Sequence, residues 1–139
     1  MALKGDDISE RLLNFAVRMV KLAAALPRNQ IGRHICGQLV RSGTSAGANY
    51  EEARGAESRK DFIHKVGVSL KEIRESLYWL KLIEKAALLS PQRMADILME
   101  ADELTRILAQ CIITAKARTL EGAKTSATKA KTTAWNENI

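Results

Sequence analysis

Aromatic residues are scarce: two Phe, two Tyr and two Trp make up 4% of the 139 residues. Strands draw on β-branched and aromatic side chains, whereas this chain is rich in Ala and Leu, which favour helices. Proline occurs only at positions 27 and 91, so the stretch between them holds no residue that must break a helix. No long uncharged apolar run occurs, and no membrane span is expected. The two cysteines, Cys36 and Cys111, have no CxxC spacing; a reduced, buried thiol is expected for each. His34 and His64 lack the neighbours of a metal site, Asp61 alone standing three residues before His64. No nucleophile elbow and no glycine-rich phosphate loop after a strand can be drawn. The chain is therefore expected to have no catalytic residues, no cofactor and no metal. The N-terminal stretch MALKGDDISERLL carries Asp6, Asp7 and Glu10 early. It lacks the basic-then-apolar layout of a signal peptide, so a cytoplasmic protein is expected.

What the chain does have is apolar periodicity. Ile8, Leu12, Phe15, Met19, Leu22 and Leu26 recur at three- and four-residue steps, predicting a first helix capped by Asp6 or Asp7 and ending before Pro27. A second helix is expected from about Gln30 to Gly55, with Ile31, Ile35, Leu39, Ala46 and Ala53 near one face. Ser58-Arg59-Lys60-Asp61 is close to a capping box. It opens a third helix whose seam runs Phe62, Val66, Leu70, Ile73, Leu77, Leu80 and Glu84. Ser90-Pro91 supplies an N-cap and a first-turn proline for a fourth helix, which fades near Leu120. The expectation is an all-α, antiparallel up-down-up-down four-helix bundle over residues 1–120. Residues 121–139 form a Thr/Ala/Lys-rich, flexible tail in which Trp135 is the one anchor-like residue.

Charge is uneven. The net charge is +6, and the segment from Ser58 to Leu89 holds seven Lys or Arg against four acids. A basic surface permits phosphate contacts. Candidate contacts are Arg59, Lys60, Lys71, Arg74, Lys81 and Lys85 of the third helix, with Arg28 and Arg33 near the start of the second. Lys124, Lys129 and Lys131 add basic residues to the tail. The alternative is an ordinary solvated face, with Glu72, Glu75 and Glu84 interleaved. Tyr78-Trp79 could stack on bases or pack at an interface.

The stretch QLVRSGTSAGANYEEA, from Gln38 to Ala53, is unusual inside a helix, because each Gly costs up to about 1 kcal/mol relative to Ala. On a helix it splits into two lines. Gln38, Arg41, Ser45, Asn49 and Glu52 form a polar line. Leu39, Gly43, Ala46, Tyr50 and Ala53 form a small-residue line that predicts close approach of another helix. Arg41 is expected to pair with Glu72 or Glu75 in a buried or interfacial network, with Ser45 and Asn49 satisfying what remains.

The pattern Q-x-x-R-S-x-x-S-x-x-x-N-x-x-E, here Gln38, Arg41, Ser42, Ser45, Asn49 and Glu52, is followed by S-x-x-E at Ser69 and Glu72. It resembles the 23S rRNA-intervening-sequence proteins, whose superfamily includes the accessory variability determinant of diversity-generating retroelements. The resemblance spans roughly Asp6 to Leu120. It implies a four-helix bundle, a homopentamer around a central channel, and binding of RNA or DNA through basic surfaces. For the retroelement branch it implies a reverse-transcriptase partner. The family's name refers to insertions in ribosomal RNA genes and states no activity. A non-enzymatic, oligomeric nucleic-acid-binding protein, RNA preferred, is the function expected. The rival is a protein–protein adaptor or scaffold without direct nucleic-acid binding.

Overall fold

The computed structural model describes residues 4–137, with side chains described through residue 126. Four helices follow one another: α1 (Gly5–Ala24), α2 (Gln30–Arg54), α3 (Arg59–Lys85) and α4 (Pro91–Glu137). α2 packs between α1 and α3, and α3 packs on α4, while the α1–α4 seam is sparse. The short connectors make sequential neighbours antiparallel, as expected of an all-α bundle. Among the described residues no helix is long and apolar enough to cross a membrane.

Each helix start has a local cause. Asn29 accepts the Gly32 amide at 2.9 Å, and Ser58 accepts the Asp61 amide at 3.0 Å. Both side chains satisfy a donor that the first turn leaves orphaned. α1 differs from expectation. Its N-cap is Lys4, and Asp7 lies one turn inside, its carboxylate accepting the Lys4 amide at 3.2 Å. The end of α3 is a Schellman closure: the Leu88 amide donates to Ile83 O at 3.0 Å, and the Ala87 amide to Glu84 O at 3.1 Å. Ala87 adopts φ 55°, where glycine is the usual occupant.

The core runs through all four helices, with Phe15, Tyr50, Ile73 and Leu104 among its fully or nearly fully buried side chains. Ile31, placed on the inner face of α2 by the sequence, is instead 65% exposed. The seam of α3 is also shifted. Its buried residues are Val66, Ser69, Ile73, Ser76, Leu80 and Ile83. Phe62, Leu70 and Leu77 are only half-buried, and Glu84 is exposed. The reason lies across the interface. Ser76 Oγ donates to Ser42 Oγ at 2.8 Å, and Ser69 Oγ donates to Ala46 O at 2.6 Å. Small, hydrogen-bonded residues let α2 and α3 approach where leucines would hold them apart.

The other side of α2 is pressed by α1. A Cβ at Gly43 would lie 2.8 Å from Met19 Cβ, and one at Gly47 would touch Leu12 at 3.5 Å. Gly43, Gly47, Ser42 and Ala46 of α2 thus face the chain's own helices, so oligomerisation must be argued elsewhere.

Ala115 is the last buried residue of α4, and residues 116–126 are exposed. The apolar pattern stops close to the expected place, but the helix continues to Glu137. From residue 116 through 126 this is a single solvated helix, a form that is marginal in water without a packed face. The side chains of Lys129, Lys131 and Trp135 lie outside the described residues.

Two predictions follow from the packing. A Cβ at Gly32 would sit 1.7 Å from Pro27 O. Gly32→Ala should force the α1–α2 connection apart and destabilise by about 1–3 kcal/mol. The readout is a lower urea midpoint at unchanged slope. Gly37→Ala, which meets nothing within 4 Å, should be neutral or mildly stabilising; equal midpoints for the two variants would refute the close approach. The second concerns Tyr50, which is 2% exposed. Burial pushes its hydroxyl from 10.0 up to about 12. The unfolded tyrosine ionises near 10, so from there to about 12 the folded state holds more protons. This contribution to stability is intact below pH 10 and is lost as pH rises through 12. The difference in urea midpoint between the native chain and Tyr50→Phe should therefore shift across pH 9 to 12, and a constant difference would contradict it.

Candidate nucleic-acid interface

With the core face of α3 fixed by Val66, Ile73 and Leu80, the opposite face follows from helical geometry. Lys60, His64, Gly67, Lys71, Arg74, Tyr78, Lys81 and Lys85 recur at alternating four- and three-residue steps along it. All are exposed except the half-buried Gly67. The line is roughly 37 Å long at 1.5 Å per residue. It carries five cationic side chains and no acid. None of the five makes an ion pair. Lys71 and Arg74, and likewise Lys81 and Lys85, stand about 5–6 Å apart along the axis, inside the Debye length of about 8 Å, so their fields add within each pair; Lys60 stands apart, roughly 16 Å from Lys71.

Two of the four acids of α3, Glu72 and Glu75, are turned toward α2; Asp61 and Glu84 stand near its two ends. Arg41 Nη1 meets Glu72 Oε2 at 3.2 Å, and Nη2 pairs with Glu75. Gln38 Oε1 accepts from Arg41 Nη2 at 3.2 Å. The hydrogen bond that Arg41 donates to Glu75, with the charges of both acids, raises the Arg41 pKa above its ordinary value. Both expected carboxylate partners are found, but the site is not the buried network anticipated. Arg41 is 47% exposed and sits on the rim of the α2–α3 contact, because Ser42 and Ala46 occupy the core positions beside it.

The remaining members of the expected network separate. Glu52 pairs with Lys65 at 3.0 Å. Asn49 Nδ2 donates to Ser45 O at 2.8 Å, a local contact within α2 that does not reach Arg41. Ser69 bonds to the α2 backbone in the core. The structure therefore distributes Gln38, Arg41, Ser45, Asn49, Glu52, Ser69 and Glu72 over four sites.

The phosphate-contact candidates also divide. Lys60, Lys71, Arg74, Lys81 and Lys85 share the outer line of α3. Arg28 and Arg33 are exposed at the start of α2, outside it. Arg59 faces a cleft of about 1020 Å³ at the other end of the bundle, lined also by Arg11, Tyr50, Arg54, Phe62 and Arg118. Two of its arginines cross-link helices. Arg11 joins α1 to Glu100 and Glu103 of α4, and Arg54 joins α2 to Asp6 and Ser9 of α1. Arg11 in turn holds the Glu103 carboxyl below its ordinary range.

Sequence reasoning treated Tyr78-Trp79 as one unit, and the structure splits it. Trp79 is half-buried against the core, while Tyr78 is 60% exposed at the centre of the basic line. The signal was its spacing, four residues after Arg74 and three before Lys81. Tyr78 meets Trp79 edge-on with centroids 5.3 Å apart, and Trp79 meets His34 edge-on at 6.1 Å. Among the described residues no cluster of three or more His, Cys, Asp or Glu is arranged to hold a metal.

A crystal structure of a protein with unknown function from the S23 ribosomal protein family of Bacteroides thetaiotaomicron is 37% identical, with a TM-score of 0.71. The match covers 76% of this chain and 97% of that one. No curated protein matches. Neither the family description nor that of the crystal structure names a catalytic activity. The family described as 23S rRNA-intervening sequence protein matches residues 6–110, which takes in α1, α2, α3 and the first half of α4. The chain belongs to the 23S rRNA-intervening sequence protein family.

Proposed function

We propose that this protein is a non-enzymatic, cytoplasmic nucleic-acid-binding protein, RNA preferred, that acts as a homo-oligomer, a pentamer by family resemblance. The observation that carries the reading is the outer line of α3. Five cations stand on one line of α3 without an acid among them, while Glu72 and Glu75 in the middle of that helix are engaged by Arg41. Such a line attracts phosphates through counterion release and needs no sequence readout. The family's description, which refers to ribosomal RNA, supports a nucleic-acid context.

Self-association draws support from α1. Leu13, Val17 and Val20 are exposed at 59%, 44% and 46%. Their four- and three-residue steps put them on one outward face, away from the core residues of the same helix. This apolar strip is assigned to contacts between copies. Ring symmetry would then multiply the α3 line, raising affinity by effective concentration. The same strip would serve docking of a protein partner, such as a reverse transcriptase, and that adaptor role is the second reading.

The test is a salt titration of binding to RNA and DNA oligonucleotides. For four phosphates engaged per protomer, log affinity should fall with log salt at a slope of about −3 on single strands. Replacing Lys71, Arg74, Lys81 and Lys85 together by Ala should remove most of that slope and weaken binding at least tenfold. Arg93→Ala, on α4, should leave both unchanged. Binding that ignores salt, or that survives the quadruple change, would overturn the reading. Light scattering or native mass spectrometry reads the assembly directly: several copies are expected, and Val17→Asp on the α1 strip should lower the mass. A monomeric native chain would remove the ring and its multiplied charge.

A further inference from the structure

We infer that Tyr78, with the half-buried Trp79 bracing it, is a stacking site for an unpaired nucleobase, and that the α3 line therefore takes single-stranded nucleic acid over duplex. This rests on the proposed nucleic-acid reading and adds the form of the ligand. Tyr78 occupies the outermost position of α3, with Arg74 and Lys81 one turn to either side and Lys71 and Lys85 two turns away. Its ring is 60% exposed, and Trp79 lies edge-on to it with the planes at 78°.

Trp79 itself is fixed. It packs against the core, its indole nitrogen is enclosed without a hydrogen-bond partner, and its ring meets His34 of α2 edge-on. A fixed neighbour limits the positions Tyr78 can adopt, which lowers the ordering cost of placing a base on it.

The surroundings decide what the ring receives. The centres of protein–protein interfaces are depleted in Lys and rich in apolar neighbours. Here the neighbours one and two turns away are cations without partners. A protein covering Tyr78 would have to desolvate them. A ligand that satisfies both the ring and its surroundings is planar at one point and anionic along its length. A strand with accessible bases fits; a duplex presents phosphates but keeps its bases paired and stacked. Base–aromatic stacking contributes without regard to sequence, so the site selects for unpairedness rather than for a motif.

The experiment compares 20-nucleotide single-stranded RNA, single-stranded DNA and duplexes of the same sequences at low salt, by fluorescence anisotropy. The native chain and Tyr78→Phe should bind both single strands more tightly than either duplex. Tyr78→Ala should weaken single-strand binding roughly 5- to 100-fold while leaving duplex binding within twofold. Equal weakening on single strands and duplexes would overturn the stacking site, as would a Tyr78→Ala affinity within twofold of native on single strands. If Tyr78→Ala reduced the oligomer mass and left single-strand binding intact, Tyr78 would belong to a contact between copies and the inference would fall. In those cases the quadruple Ala variant still reports on the basic line separately. Should the native chain bind no oligonucleotide at low salt, the line and the stacking site would fall together.

Discussion

α2 is squeezed from two sides, and the rest of the structure depends on that squeeze. Met19 of α1 leaves no room for a side chain at Gly43. On the opposite side Ser76 and Ser69 of α3 reach Ser42 and the Ala46 carbonyl. A helix this poor in bulk gains little from its own propensity. It is held because its backbone lies close enough to both neighbours for buried hydroxyls to find partners and for methylenes to fill the glycine positions. The serines are matched pairwise, so the polar atoms taken into the core are not left unsatisfied.

That closeness sets the electrostatics of the outer surface. Arg41 lies on the flank of α2 facing α3, near enough for its guanidinium to span Glu72 and Glu75. As an exposed ion pair it adds little to stability. Its larger effect is to engage the two acids in the middle of α3 away from the lysines. With Lys65 drawn to Glu52, the charges of α3 sort themselves. Glu72 and Glu75 with Arg41, and Lys65 with Glu52, occupy the α2 flank, and five cations without ion pairs occupy the outward pole.

Most of the fold was legible because its signals are local. Ser58 and Ser90-Pro91 mark helix starts through bonds within one turn, and the stripe on α1 is buried as spaced. Arg41 could be matched to Glu72 and Glu75 because only those acids lie at the right level of an antiparallel neighbour. The phase of α3 was not legible. Leu70 and Leu77 make a stronger apolar seam on paper than Ser69 and Ser76, and the two seams differ by roughly half a residue's step about the axis. Only the small face of α2 decides between them. That rotation is also why Tyr78 and Trp79 were not told apart, since adjacent residues fall into different environments once the phase is known. The extension of α4 past Ala115 carries no periodic signal, because its exposed stretch through residue 126 has no packed face to encode.

The charge line places an unusual demand on the sequence. The five cations contribute to one positive strip, so no single lysine dominates its field, and any one could be exchanged for arginine with little consequence for it. An acid at an outward position would act differently. It would pair with the cations three and four residues away and remove several contacts at once. Position 67 is instructive: a glycine stands there with nothing within 4 Å, and a helix-favouring glutamate would be tolerated sterically while interrupting the line between Lys60 and Lys71. The positive character of this face is therefore specified as much by the exclusion of carboxylates from one line as by the lysines on it. The geometry of α2 makes that exclusion compatible with a helix that still carries Glu72 and Glu75.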